Sequence, residues 1–382
     1  MSKYKLNNWI PGADIEIDQL IKTEDYFTEN LIDSLAIEIT DTNYGLLPLQ
    51  SSQNESCKLE LELQDKGTAR LNLTHCNGIT RTGYVIHYDS AHNQPIHTLL
   101  DFGLQDTEEE TLPSYWDVVL TVNPFQRVPL ANTGKNKKIP TDLFTASLFS
   151  LSVVSAFSSG KNEKGVYNLI IGRIVKNADA FMLDSQYIPP CTEMESHCEL
   201  IRYNALFGKH LNELERVSCN IIEKIHSRPH KSPLEESVFG ICKAIIMYIA
   251  EIHFRYRNMS SYSTPVKNIT YFSSLASQIQ MTLAKLTKTD KEELLKYFQQ
   301  WNDVTPGAFE EMLKNTSQIK YNHNDIRPAM TQLEQFLIFI TDLWHTLNGL
   351  HFIGQHKENI VISERIKEPD TPKSTGSWVI FD

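Results

Sequence analysis

The stretch that decides the fold is AFMLDSQYIPPCTEMESHCELIRY, residues 180–203, because the hydrophobic pattern changes within it. Before Pro189 and Pro190, short segments alternate between apolar and polar residues, which is typical of β-strands. After Glu199, apolar residues recur every three or four positions, as on one face of an α-helix. Since proline cannot continue a strand ladder, the two prolines are predicted to end the last strand and to set the direction of the helical part. The sequence therefore predicts an α+β fold.

Upstream of this stretch, several alternating segments are separated by turn residues. In the first segment, Leu59, Leu61 and Leu63 fall on one face and the intervening charged residues on the other. This pattern is typical of a half-buried strand in an antiparallel sheet. The segments predicted as strands are CKLELELQ, TARLNLTHC, GYVIHYD, WDVVLTVNPF and YNLIIGRIVKNADAFMLD. Their spacing predicts a β-sandwich over residues 1–190.

Downstream, residues 191–300 are predicted to form a bundle of about four helices. The first helix carries an apolar stripe typical of a bundle or a coiled coil, formed by Leu200, Tyr203, Phe207, Leu211, Leu214, Val217, Ile221 and Ile225. After Trp301 the pattern predicts two more helices, with Asp325 placed to cap the second, and then two strand-like pieces. Residues 301–382 are therefore predicted to form a small α/β domain.

Composition excludes several classes of protein. With 382 residues, of which 41% are hydrophobic, the chain can bury a sizeable core. The net charge of −11 and the absence of a dense Lys/Arg block argue against a surface for nucleic acid. No segment resembles a signal peptide, and no uninterrupted apolar run is long enough to span a bilayer, so a cytoplasmic protein that is not inserted in a membrane is expected. The six scattered cysteines are expected to be reduced thiols.

The sequence contains no glycine-rich nucleotide motif, no G-x-S-x-G elbow and no H-E-x-x-H motif. Cys191, His197 and Cys198 lack a second ligand pair at zinc-finger spacing, so no metal site is predicted. His323 and Asp325 could form an acid–base or metal pair, but their position before a helix favours a turn and a helix cap. Neither catalysis nor a cofactor is predicted, which favours a role in an assembly.

Three stretches resemble the baseplate-subunit family TssK of the bacterial type VI secretion system. The first has the pattern W-x-x-G-x-x-[LI] at Trp9 and leads through an aromatic-rich segment to NYGLLPL. The second is YIPP, residues 187–190, at the predicted boundary between strands and helices. The third is STPVKNITYFSSLASQI, in which Pro265 precedes a tyrosine and a Leu-Ala pair. The resemblance covers most of residues 5–300, whereas the last eighty or so residues do not match the family's membrane-complex-binding head.

The resemblance implies a shoulder like that of phage receptor-binding proteins over residues 1–190, a helical neck over 191–300 and a C-terminal head over 301–382. It implies a cytoplasmic, non-enzymatic homotrimer that links baseplate wedge subunits of the TssF, TssG and TssE type to membrane-complex proteins. The residues expected in these roles are Trp9, Pro11 and Gly12 at the wedge; Tyr187, Pro189 and Pro190 at the shoulder–neck junction; Leu200, Phe207, Leu211, Leu214 and Ile221 in the trimeric neck; and Trp344 and Trp378 at the membrane complex.

Two other functions stay open at this point. A carbohydrate- or cell-surface-binding module like a phage tail tip would require exposed aromatic residues on the loops of the sandwich. A hydrolase would use His323 and Asp325. Trp9 also has two interpretations, because an aromatic residue near a terminus either docks on a partner or pins its segment to its own domain.

Overall fold

The computed structural model describes residues 4–12, 14–49, 55–63, 68–101, 115–130, 144–155, 167–177, 180–302 and 304–357. The described chain is α+β, with one helix first, then two antiparallel sheets and then six helices. The strands are β1 Gly45–Leu46, β2 Cys57–Leu63, β3 Thr68–Ile79, β4 Val85–Asp89, β5 His97–Asp101, β6 Tyr115–Pro129, β7 Thr145–Ser155, β8 Asn168–Asn177 and β9 Ala180–Leu183. The helices are α1 Ile17–Ala36, α2 Cys198–His226, α3 Pro233–Met259, α4 Pro265–Ala284, α5 Lys288–Asn302, α6 Pro306–Ser317 and α7 Arg327–Gly349.

The first sheet is built around the long strand β3. Strands β1 and β2 pair with one edge of β3, and β4 and β5 pair with the other edge, all antiparallel. Cys76 shows this arrangement, since it is in register with Cys57 of β2 and with Tyr88 of β4. In β2, Leu59 and Leu61 are half-buried, as the alternation in the sequence predicts, whereas Leu63 at the end of the strand is 62% exposed, contrary to that prediction.

The second sheet has the antiparallel strand order β7-β6-β8-β9. It contacts the first sheet through β5 and β7, β1 and β8, and β2 and β9, and apolar side chains such as Leu71, Leu120 and Ile174 are fully buried. Gly172 of β8 allows this close approach, because a Cβ atom there would lie 2.5 Å from Cδ1 of Leu59.

Helices α2 to α7 pack into one bundle with a continuous apolar core. Side-chain caps begin several of these helices. At α2, Nδ1 of His197 accepts a hydrogen bond from the Glu199 amide, and at α3, Ser232 and Glu235 form a capping box. Helix α3 is long and apolar enough to cross a membrane, but nearly half of its apolar window is buried inside the protein. A central helix of a bundle has the same composition.

The bundle core continues beyond the boundary predicted at residue 301, because α6 packs on α4 and α7 packs on α2. Residues 304–357 are helical wherever they form regular structure, and their apolar residues belong to the common core. The two strand-like pieces predicted near the C-terminus lie outside the described residues. Residues 304–357 therefore share the bundle core, and an α/β domain over residues 301–382 stays a prediction.

Candidate functional site

Helix α1 and the segment before it present an unusually apolar surface to solvent. Within α1 only Asp25 and Ile32 are buried, whereas the apolar residues on another side of the helix are exposed. We call the exposed set the N-terminal apolar surface: Leu6, Trp9, Ile10, Ile15, Ile17, Leu20, Ile21, Phe27, Leu31, Leu35 and Ile37. Clusters of large apolar side chains on a surface mark contact sites for other proteins.

Ion pairs and a close backbone contact with the sheets fix the orientation of α1. Arg127 of β6 forms ion pairs with Glu24 at 3.0 Å and with Asp25 at 2.7 Å. Gly83, with φ of +90°, lets the turn between β3 and β4 approach α1, since a Cβ atom there would lie 2.6 Å from the carbonyl oxygen of Ile32. These contacts hold the polar side inward and leave the apolar side exposed.

The segment before α1 is attached by residues other than Trp9. The Tyr4 amide donates to Oε2 of Glu29 at 3.1 Å, and its ring packs on Phe125 with centroids 4.7 Å apart. Asn7 Nδ2 donates to Oγ1 of Thr23 at 2.9 Å. Trp9 itself is 47% exposed. This exposure favours the docking interpretation of Trp9, because a residue that pins its segment must be largely buried.

The other two residues expected at the wedge lie beside Trp9. Pro11 and Gly12 are exposed, and Gly12 has φ of +86°, a left-handed conformation that glycine adopts without strain. The Pro-Gly pair forms a turn that directs the chain into α1.

The YIPP segment connects the sheets with the helices, as its position in the sequence predicts. Pro190 O accepts a hydrogen bond from the amide of Leu46 in β1 at 2.8 Å. On the other side, the buried hydroxyl of Tyr187 donates to the carbonyl of Asn324, in the turn before α7, at 2.5 Å. Pro189 and Pro190 are both buried. The segment therefore contacts both parts of the molecule as well as joining them in sequence.

A buried arginine strengthens the same junction. Arg173 of β8 pairs with Asp117 of β6 at 3.0 Å and with Asp325 at 2.6 Å, and its guanidinium lies 3.9 Å from the ring centroid of Tyr115 and 4.2 Å from that of Tyr187. Burial alone would lower the pKa of Arg173, but the bonds to Asp325 and Asp117 raise it. The arginine is therefore charged at any physiological pH.

The predicted role of Asp325 as a helix cap is wrong. The residue at the N-cap of α7 is Ile326, which makes no side-chain cap, and the Asp325 carboxylate points to Arg173 instead. An ion pair in a largely buried site replaces the solvent-facing cap that the sequence suggested.

His323 is a buried residue of the same junction. Its Nε2 donates to the carbonyl of Tyr44 at 2.7 Å, so Nδ1 accepts from the hydroxyl of Tyr321 at 2.6 Å. Burial lowers the pKa of His323, which keeps the ring neutral. His323 and Asp325 thus bind different partners on different sides of the junction, and they do not form the acid–base pair of the hydrolase hypothesis.

The remaining predicted residues lie inside the helical bundle. Leu200, Phe207, Leu211, Leu214 and Ile221 are all buried within the single chain, so they form the core of the bundle. Trp344 is also fully buried, and its Nε1 donates to Oγ of Ser218 at 2.9 Å. The expected contact of Trp344 with a membrane complex is therefore wrong, since no partner can reach the side chain. Trp378 lies outside the described residues.

The described residues contain no group of three potential metal ligands. Among the three residues considered as metal ligands in the sequence, Cys191 is buried and donates to the carbonyl of Pro189 at 3.2 Å, and His197 caps α2.

In the described part of the two sheets, Phe144 is the one strongly exposed aromatic residue, and residues 102–114, 131–143 and 156–166 lie outside that part. The carbohydrate-binding alternative therefore stays a prediction.

Comparison of the whole fold with solved structures shows what this arrangement resembles. A crystal structure of TssK superposes with a TM-score of 0.50 at 12% sequence identity, over 88% of this chain and 68% of that chain. The chain has the TssK fold. TssK of the type VI secretion system of EAEC, in complex with a nanobody, has a TM-score of 0.48 at 14% identity, over 82% of this chain and 98% of that chain.

The TssK-TssF-TssG baseplate subcomplex of a type VI secretion system contains a further chain similar to this one. It has a TM-score of 0.46 at 16% identity, over 88% of this chain and 100% of that chain. No protein-family model matches the sequence, and no curated protein matches it.

Proposed function

We propose that the protein is a structural subunit of a type VI secretion baseplate, where it links wedge subunits to a membrane-anchored complex. The observation that carries this proposal is the TssK fold, which the chain shares with a solved TssK structure over 88% of its length. In this role the two sheets with α1 would form the shoulder, residues 1–190, and α2 to α5 the neck, residues 191–300. Residues 301–382 would provide the membrane-side contacts. No catalytic role is proposed for any residue.

The N-terminal apolar surface supports contact with the wedge. Ile17, Leu20, Phe27, Leu31 and Leu35 follow one another at steps of three, seven, four and four residues, which places them on one side of α1. Helices normally bury such a stripe, and here it faces solvent together with Trp9 and Ile10. Subunits of the TssF and TssG type are the proposed partners, because these two accompany TssK in the solved subcomplex.

We also propose that the chain forms a trimer, but through other residues than those the sequence suggested. The stripe on α2 is buried within the protomer and so is unavailable. Helix α3 carries Met247 and Phe254, which are 62% and 72% exposed and lie two turns apart on one side. These side chains supply an apolar surface on the bundle for contact with other copies.

The wedge proposal is tested by co-purification with the full-length protein. In the double variant Phe27→Asp and Leu31→Asp, two charges replace exposed apolar side chains, so the variant should fold normally and lose the wedge subunits. The matched control is Ile338→Asp, which places one charge at an exposed apolar position of α7, far in sequence from the proposed surface. Equal recovery of wedge subunits with the double variant and the control would overturn the proposal.

A further inference from the structure

Two cysteines face each other across neighbouring strands of the first sheet. Cys57 of β2 and Cys76 of β3 are direct register partners. The adjacent pair, Ser56 and Asn77, is joined by a backbone hydrogen bond of 2.8 Å, so the cysteines occupy a non-hydrogen-bonded position of the ladder. At such positions the Cα atoms are about 4.5 Å apart and the side chains are closest. Disulfides join residues whose Cα atoms are about 4.4–6.8 Å apart.

The two side chains already interact. Both thiols are free, and the hydrogen bond between them, together with burial, raises the pKa of Cys57. Cys76 is fully buried, whereas Cys57 is half-buried and lines a cavity of about 410 Å³ between the sheets and the start of α2. A small reagent can therefore reach Cys57 first, with Cys76 placed behind it as the resolving thiol.

We propose that Cys57 and Cys76 are a modification site, at which a peroxide converts the two thiols into one cross-strand disulfide. The raised pKa keeps most of Cys57 in the thiol form, so the reaction is slow at neutral pH and becomes faster as the pH rises. As a thiolate, the Cys57 sulfur attacks one oxygen of hydrogen peroxide, which breaks the O–O bond and gives a sulfenic acid and, with one proton, water. The Cys76 thiol then attacks that sulfur, forms the S–S bond and releases a second water. The two thiols lose two electrons and two protons in total, and one molecule of hydrogen peroxide is reduced.

The other four cysteines do not share this geometry. Cys191 and Cys242 are buried, and the Cys191 thiol is hydrogen bonded to the Pro189 carbonyl. Cys198 and Cys219 are exposed on α2, where each can react with thiols of other molecules. Removing these two exposed thiols therefore simplifies the test without touching the proposed site.

A disulfide here would fix an edge of the first sheet. In the described residues β2 pairs with β3 alone, and its Leu59 packs against Gly172 of the second sheet. The bond would close a loop of 20 residues and prevent β2 from separating from β3.

The experiment uses the full chain with Cys198→Ser and Cys219→Ser. The protein is treated with hydrogen peroxide, the free thiols are counted by alkylation in denaturant, and an unreduced digest is analysed by mass spectrometry. We expect two of the four remaining thiols to disappear and one cross-linked peptide to contain Cys57 and Cys76. The melting temperature should rise by roughly 5 °C and return to its starting value with dithiothreitol.

The matched controls are Cys57→Ser and Cys76→Ser in the same background, each of which should remove both the cross-link and the rise in melting temperature. Four thiols that persist at peroxide concentrations sufficient to oxidise Cys198 in the unmodified protein would overturn the proposal. A cross-link that joins any other pair of cysteines would overturn it too. Both results come from proteins that keep Cys57 and Cys76, so they do not depend on the folding of the controls.

Discussion

At the scale of single residues, Arg173 is expected to contribute strongly to stability. Its guanidinium is the charge partner of Asp117 and Asp325 in a site where the three side chains are between 8% and 20% exposed. Removing one member of a buried ion pair leaves the remaining charges without compensation, which is more costly than losing an exposed pair.

We therefore expect Arg173→Met to lower the free energy of unfolding by about 3–5 kcal/mol, as measured by urea denaturation. The control is Arg202→Met, because Arg202 pairs with Glu199 and Glu334 on the exposed surface, where the loss should be under about 1 kcal/mol. Similar losses in the two variants would show that the junction arginine has no special role.

His197 makes the folding stability of the protein depend on pH. Burial, together with the nearby Arg327, lowers the pKa of His197 to about 4, from 6.5 in an unfolded chain. Because the unfolded state then binds a proton more readily than the folded state, stability is complete above pH 6.5 and falls between pH 6.5 and 4. Burial of His323 acts in the same direction.

We expect the fall in unfolding free energy over this range to reach up to about 3 kcal/mol for His197. The variant His197→Asn keeps a side-chain acceptor for the amide of Glu199 but does not titrate. Its stability should therefore change less between pH 6.5 and 4 than that of the unmodified protein, measured by chemical denaturation at each pH. Equal changes in the two proteins would contradict this assignment.

Sequence patterns predicted where these buried polar residues lie along the chain, but they did not predict which residues bind them. The pattern identified the turn that contains His323 and Asp325, but the two residues bind Tyr44 and Arg173, which are more than 150 positions away in the chain. Trp344 shows the same limit, since its helical position was predictable while its hydrogen bond to Ser218 depends on how α7 packs on α2. Local periodicity contains no information about which helices become neighbours.

At the scale of elements, α2 and α3 differ in how much of their apolar surface the rest of the chain covers. Helix α2 has a clear stripe, but α3 and α7 cover it, whereas the more uniformly apolar α3 leaves Met247 and Phe254 exposed. An apolar stripe shows that one face of a helix will be buried. It does not show whether the residues that bury it belong to the same chain or to another.

Substitution by aspartate should distinguish the buried stripe of α2 from the exposed side chains of α3. Leu214→Asp buries a charge in the bundle core and should unfold the protein, with a loss of roughly 5 kcal/mol or more. Phe254→Asp should leave the melting temperature nearly unchanged and abolish the proposed trimer, so that light scattering reports a monomer. A folded, trimeric Leu214→Asp protein would show that our description of the core is wrong.

At the scale of the whole molecule, the order of sheets and then helices was predictable because the hydrophobic period changes at one place. Strands β5 and β7 were not predicted, since β5 is short and the serine-rich sequence of β7 resembles a turn region. Both strands form by pairing with long neighbours, β5 with β3 and β7 with β6. Such pairing over long sequence distances cannot be read from either segment alone.

The predicted boundary at residue 301 can be tested by truncation. A chain that ends at residue 300 lacks α6 and α7 and so exposes the apolar core that they cover, including the site of Trp344. It should lose cooperative thermal unfolding, whereas a chain that ends at residue 357 keeps every described helix and should still unfold cooperatively. Cooperative melting of the shorter chain, followed by circular dichroism, would support an independent C-terminal domain.

The turn before α7 has a mechanical consequence. Residues 322–326 hydrogen bond directly to Tyr187, Ile188 and Tyr44, so α7 is tied to the sheets independently of α2. A pull on the C-terminal end of α7 would therefore travel along the helix into the sheets by this short load path, in parallel with the longer route through the rest of the bundle. Two parallel connections resist a hinge motion between the helices and the sheets more than a single connection would.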